Sequence, residues 1–258
     1  MTSNVSYRLM LHRMGYYDYQ QGLIYRHLNQ EGGWSSHLEN CRKFILDAAD
    51  IIKPSVITVL GSGWLLDVPL TELAERATTV NLVDIVHPPE VKSQVAGLKN
   101  VILREDDVTG GLISEVWKKA GHRTFLNKLR TFGSIDVSEY QPQYDPGMVV
   151  SLNIITQLET IPLRLLRKKS SADMSAITGF RKLIQEKHLS FLLKHRSVLI
   201  SDIAEVETES SGRINEIRSL LAELPESEHT MSWTWNFETR APDFYTKKSV
   251  FRVTALII

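Results

Sequence analysis

The sequence predicts an α/β fold. It is a doubly wound seven-stranded sheet, mostly parallel, with a C-terminal antiparallel hairpin and N-terminal helices. Three observations predict it. From Ser55 onward, short β-branched runs alternate with helical stretches, as they do where crossover helices join parallel strands. Successive strands end in glycine or in an acid, at the edge where such sheets take their ligands. The last two strand-like runs, Thr230 to Thr239 and Ser249 to Ile258, have only a loop between them. A parallel pair would need a crossover of about a dozen residues, so these two are antiparallel.

Each element has a local reason. Tyr7 to Asn29 reads as partly helical, and Glu31-Gly32-Gly33-Trp34 breaks it. His37 to Lys53 places Leu38, Cys41, Ile45, Ala48, Ala49 and Ile52 at helical spacing. Ser35 and Ser36 are candidate caps, and Pro54 stops the helix. Val56 to Leu60 is a buried strand that ends at Gly61. Val68 to Ala77 is helical, and Thr79 to Asp84 is the second strand. Pro89 to Ala96 is a helix with proline in its first turn. Val101 to Arg104 is the third strand, closed by Glu105-Asp106-Asp107. Helices are expected at Leu112 to Ala120 and at Arg123 to Thr131, then a fourth strand at Met148 to Leu152. Helical text runs from Pro162, followed by a long helix at Ala176 to His195. Ser197 to Asp202 is the fifth strand, and Arg213 to Leu224 is expected to be a helix. Residues 1–54 form a helical cap, and 55–258 form the nucleotide-binding unit.

Composition removes several classes. Lys+Arg and Asp+Glu number 30 each, so no global positive charge draws the chain to nucleic acid. The lone Cys41 excludes an internal disulfide and a Cys-x-x-Cys site, and it is expected in a helical core. No metal site is expected. Met1 to Val5 is polar, with no signal-peptide apolar stretch. No apolar run reaches the ~20 residues of a membrane span. A soluble, cytoplasmic protein is the expectation.

The candidate site is the row of strand ends. Gly61-Ser62-Gly63 offers a tight turn and close backbone approach to a ligand. Asp84 can accept hydrogen bonds from both hydroxyls of a ribose. Asp106 and Asp107 can meet an adenine amino group. Ser151 to Asn153 lies where the reacting part of a cofactor would sit.

In this order, these residues resemble the class I S-adenosylmethionine-dependent methyltransferases over residues 55–258. The resemblance is carried by Val-Leu-Gly-Ser-Gly at 59–63, Leu-Val-Asp at 82–84, Asp-Asp at 106–107 and Tyr-Asp-Pro-Gly-Met-Val-Val-Ser at 144–151. The terminal hairpin adds weight, because nicotinamide-binding domains normally lack it. The resemblance implies S-adenosylmethionine as cofactor. Gly61, Ser62 and Gly63 would line the methionine part, Asp84 would hold the ribose, Asp106 or Asp107 the adenine, and Asn153 would lie near the methyl. Val59 stands where the family often has an acid, and Leu65 where it often has a third glycine. Asp67 is a candidate replacement for the acid, or a cap for the helix after it. The fourth strand lacks the Asn-Pro-Pro-Tyr signature of amino-group methylation on bases.

Candidate bases are His37 and His188, with His87 behind them. Trp34, Tyr16, Tyr17 and Tyr19 read as an aromatic lid or as packing of the N-terminal helices. Trp233 and Trp235 read as sheet-face residues, and Arg167-Lys168-Lys169 as a solvated face. Three functions remain open: methyl transfer to a small-molecule acceptor, cofactor binding without catalysis, and NAD-dependent oxidoreduction. The hairpin counts against the last.

Overall fold

A computed structural model describes residues 4–122, 128–129, 131–209, 211–238 and 247–258. Three helices open the chain: α1 (Asn4–Met14), α2 (Tyr16–Asn29) and α3 (Ser35–Ile52). The alternation then runs β1 (Val56–Leu60), α4 (Leu70–Arg76), β2 (Thr79–Asp84), α5 (Pro89–Val95), β3 (Val101–Glu105), α6 (Leu112–Ala120) and β4 (Met148–Leu152). After α7 (Thr160–Lys169) and α8 (Met174–Leu192) come β5 (Ser197–Glu209), β6 (Ile214–Arg218), β7 (Thr230–Glu238) and β8 (Lys247–Ile257). The expected helix at 123–131 falls largely outside the described residues.

The strand order is β3-β2-β1-β4-β5-β8-β7. The first five are parallel, and β8 lies antiparallel between β5 and β7. This is the predicted seven-stranded path with its closing hairpin. The chain leaves β1 toward β2 and returns to β1's other side as β4, so the switch point lies between β1 and β4. Their carboxyl ends meet tightly. At Gly61, with φ +83°, a Cβ would run into Ile154 and stand 2.8 Å from the Leu152 carbonyl. Glycine is needed here by the protein's own packing.

Two expectations need correction. Arg213 to Leu224 holds no helix, because residues 214–218 form an eighth strand, β6, antiparallel to β5. Ile214 is 69% exposed and Ile217 is 42% exposed, so this strand buries no apolar face. Strand β5 continues to Glu209, past the end of β4, and there β6 pairs with its open edge. Second, neither Ser35 nor Ser36 caps α3: the helix begins at Ser35 with Trp34 at the cap position and no side-chain cap.

The N-terminal helices join the main packing. Cys41, Ile45, Ala48 and Ala49 of α3 share one buried cluster with Ile57 and Val59 of β1 and Trp235 of β7. Met10, Leu11 and Met14 of α1 pack with α6 and α7 residues in another. No helix of the described residues is long and apolar enough to cross a membrane.

Candidate functional site

One pocket lies over the switch point. Its floor is Gly61, Ser62, Gly63, Leu152, Asn153 and Ile154; α2 roofs it with Tyr16, Tyr19, Gln20 and Leu23. Trp34, His37 and Leu38 of the α3 end, with Trp235 of β7, close one wall. Asp84, Asp106 and Asp107 line the opposite end.

Asp84 is fixed by the turn itself. Its Oδ2 accepts the Gly63 N–H at 2.8 Å, and its Oδ1 accepts the Ile85 N–H at 2.7 Å and the Gln20 amide at 3.1 Å. Burial still pushes its pKa up to about 6. Asp106 accepts from the Tyr140 hydroxyl at 2.8 Å and from the Asp107 N–H at 2.9 Å. Asp107 accepts through Oδ1 from the Thr109 N–H at 2.9 Å and from the Thr109 hydroxyl. Its Oδ2 is buried with no partner, and burial raises its pKa to about 6. Asp67 does not cap the following helix, which starts at Leu70 without a side-chain cap. It turns into the pocket and accepts the Asn153 amide at 2.8 Å, and burial raises its pKa to about 6.

Asn153 ends β4 in the left-handed region, at φ +53°, a conformation asparagine tolerates better than most residues. Its amide nitrogen lies 3.2 Å from His37 Nε2 and 3.7 Å from Cys41 Sγ, while its Oδ1 is buried without a partner. His37, Cys41 and Asp67 thus bring potential ligand atoms within 4.8 Å of one another. The Asn153 amide N–H group lies within reach of all three and opposes a cation there. Trp233 Nε1 donates to His37 Nδ1 at 3.0 Å, and the Asn153 amide nitrogen faces Nε2. Burial pushes the His37 pKa down to about 3, and the ring stacks on Trp235 at 3.8 Å. His37 lines the pocket with both ring nitrogens in contact with N–H groups.

The structure separates the other two histidines from the pocket. His188 lies on α8, fully buried, with Nε2 2.8 Å from Ser151 Oγ, and it does not line the pocket. His87 sits behind the turn, 3.0 Å from Ser62 Oγ. Burial lowers both to about 4. The remaining sequence candidates, Gly61, Ser62, Gly63, Asp67, Asp84, Asp106, Asp107 and Asn153, all line the one pocket.

Sequence reasoning missed Gln20 and Gln157 and left Trp235 on the sheet. Nothing in the spacing of α2 marks Gln20, because its partner Asp84 is 64 residues away. Trp235 had a weak signal in its alternation with Trp233 on a strand.

No family model and no curated protein sequence matches the chain. Among solved structures, it is similar to DhpI in complex with SAH: 10% identity over 92% of this chain and 94% of that one, TM-score 0.35. It is also similar to the Burkholderia thailandensis 1,6-didemethyltoxoflavin-N1-methyltransferase with bound 1,6-didemethyltoxoflavin and S-adenosylhomocysteine: 12% identity, 100% and 91% coverage, TM-score 0.38. A third is an rRNA methylase from Streptococcus thermophilus, with 8% identity, 84% and 93% coverage and TM-score 0.31. The fold assignment rests on this chain's own strand order, and the functional reading on its own pocket.

Proposed function

We propose that the protein binds S-adenosylmethionine at the carboxyl ends of β1 to β4 and transfers its methyl group to a small-molecule acceptor. One observation carries this reading: four carboxylates, Asp67, Asp84, Asp106 and Asp107, line the pocket, and among the described residues no lysine or arginine does. S-adenosylmethionine brings a sulfonium and an α-ammonium against one carboxylate, a net positive charge, to such a site. A nicotinamide dinucleotide brings a pyrophosphate, which four carboxylates repel. This electrostatic difference favours methyl transfer over NAD-dependent oxidoreduction.

The orphaned atoms fit the group. Gln20 Oε1, Asp107 Oδ2, Asn153 Oδ1 and Trp235 Nε1 are all buried without a partner, and all four residues line the pocket. Buried polar atoms of this kind cost free energy until something bonds to them. Asp84 would take the ribose hydroxyls as Gln20 releases its Oδ1, and Asp107 Oδ2 the adenine amino group. Asp67 would face the α-ammonium, which supplies the acid that is missing at Val59. The cofactor supplies an activated methyl; the chain supplies alignment.

Calorimetric titration with S-adenosylmethionine, S-adenosylhomocysteine and NAD tests this. Both S-adenosyl compounds should bind at least ~100-fold more tightly than NAD, which corresponds to about 2.7 kcal/mol. Equal NAD binding, or no S-adenosyl binding at millimolar concentration, sinks the reading.

A further inference from the structure

We infer that α2 is a lid: it shuts the empty pocket with its own Gln20 in the ribose seat, and the cofactor enters by displacing it. This rests on the cofactor reading above.

Packing anchors α2 poorly. Of its 14 residues, Tyr16 alone is buried, and Gly22 stands in its middle. The helix after it, α3, buries seven residues from His37 to Ala49. A helix in a folded protein takes most of its stability from the apolar face it buries, and glycine lowers what propensity adds. So α2 opens at a lower free energy than α3. The chain enters α2 through Gly15 at φ +90° and turns away from it through Gly32 at φ +82°. Hinges sit at element ends of this kind.

What holds α2 down is a set of hydrogen bonds to the pocket itself. Gln20 Nε2 donates to Asp84 Oδ1 at 3.1 Å, and the Tyr19 hydroxyl donates to Gln157 Oε1 at 3.2 Å. Trp64 Nε1 donates to the Gln20 carbonyl at 3.0 Å. Asp84, Gln157 and Trp64 all line the pocket. Toward the other end of the helix, Arg26 pairs with Glu238 at 3.7 Å and lies over the Phe237 ring. Polar contacts of this kind exchange readily with water or with a ligand's own polar groups.

Closed, α2 leaves too little room. The cavity beneath it is about 180 Å³, whereas pockets that take a drug-sized ligand run to ~300–1,000 Å³. The seat is occupied as well. Asp84 Oδ1 accepts the Ile85 N–H at 2.7 Å and the Gln20 amide at 3.1 Å, which fills both lone pairs of that oxygen. Ile85 belongs to the chain that leaves β2 and stays. Gln20 belongs to the weakly packed helix and is the partner that yields. A ribose hydroxyl and the lid therefore compete for one oxygen, and the lid closes again when the ligand leaves.

Hydrogen exchange read by mass spectrometry tests the lid on the empty protein. The amides of residues 20–29 should exchange at least ~100-fold faster than those of residues 38–49. Gln20→Ala should speed exchange at 20–29 by about two- to tenfold, the worth of one ordinary hydrogen bond, and leave 38–49 unchanged. Stopped-flow tryptophan fluorescence then follows S-adenosylhomocysteine, because Trp34, Trp64 and Trp235 line the pocket. Gln20→Ala should raise the association rate by about the same two- to tenfold and hold the dissociation rate within about twofold, since the latch exists only in the empty state. Tyr19→Phe, which keeps the ring and loses the bond to Gln157, should shift both measurements in the same direction. Exchange in α2 as slow as in α3 overturns the lid, as does an association rate that Gln20→Ala leaves unchanged or slows. Faster dissociation from Gln20→Ala overturns it too, because Gln20 then holds the bound ribose. Absence of S-adenosylhomocysteine binding overturns the cofactor reading instead, and hydrogen exchange then decides the lid by itself.

Discussion

Two groups of buried carboxylates sit on either side of β4, and they are held in different ways. Beside α8, Glu159 is 2% exposed and pairs with Arg181 at 3.0 Å. Gln185 donates to the same oxygen at 3.3 Å and to the Ser219 carbonyl at 3.1 Å, while Arg181 reaches that carbonyl too. Asp202 accepts from Thr156 nearby. In the pocket, Asp84 and Asp107 have backbone N–H groups, a hydroxyl and an amide as partners, and among the described residues no ion pair. A buried charge with its counter-ion supplied by the chain is a structural device. A buried charge without one is held ready for a cation from outside. The first group ties α8 and the segment after β6 to the β4–α7 loop, and the second waits for a ligand.

The largest effect that can break this comparison is on stability. Arg181→Ala leaves Glu159 buried without its charge partner and should cost ~3 kcal/mol, read as a lowered urea midpoint. Cofactor affinity should stay within about twofold, since Arg181 does not line the pocket. A loss of binding without a loss of stability would reverse the roles of the two clusters.

The pocket should answer in affinity. Asp84→Asn removes an ionised acceptor, worth ~1.5–3 kcal/mol, so S-adenosylhomocysteine affinity should fall about 10- to 100-fold. The empty protein should lose ~1–3 kcal/mol as well, because the amide nitrogen cannot accept the N–H that one carboxylate oxygen held. Calorimetry and thermal melting on the same variant separate the two effects.

The pH dependence probes both groups, since burial pushes the Glu159 pKa up to about 7 despite Arg181. Asp67, Asp84 and Asp107 titrate at about 6 in the fold, above the ~3.9 of an exposed aspartate. The fold prefers their neutral forms, so this contribution is complete below ~3.9 and is lost as pH rises through about 6. His37, at about 3, and His87 and His188, at about 4, are depressed. Their contribution is complete above ~6.5 and is lost as pH falls toward 4 and below. A cationic ligand gains what the carboxylates lose on ionising. The increase in melting temperature given by saturating S-adenosylmethionine should therefore grow from pH 5 to pH 7.5, and grow less in Asp84→Asn. A flat profile would mean that the pocket is already ionised at pH 5.

The smallest effect concerns the roof. In the empty pocket, the Gln20 amide occupies Asp84 Oδ1. Gln20→Ala removes that internal partner, worth ~0.5–1.5 kcal/mol net, and should tighten S-adenosylhomocysteine binding by about two- to tenfold. Weaker binding would show that Gln20 stays on Asp84 when the ribose arrives.

Much of the site was legible because each strand end fixes its own residue. Strand periodicity ended β1 at Gly61, β2 at Asp84 and β4 just before Asn153, and parallel topology puts such ends side by side. Gln20 was not legible, because its role comes from α2 lying across β2. The misread of 214–218 has the same kind of cause. Ile214, Ile217 and Leu220 carry helical spacing, but the open edge of an overlong β5 decided their pairing. The surroundings of His37 had no signal in its spacing. Trp233, 196 residues away, donates to its Nδ1.

The sequence by itself determined the order of strands and helices apart from β6, the closing hairpin, and the acids and glycines at the strand ends. These follow from local periodicity and from the short loop before β8, and local interactions set both. Tertiary structure alone decided which histidine faces the pocket, which donors meet its ring, and which buried acids have a counter-ion. Those properties depend on contacts between residues far apart in the chain, and on the low-dielectric surroundings that only packing creates.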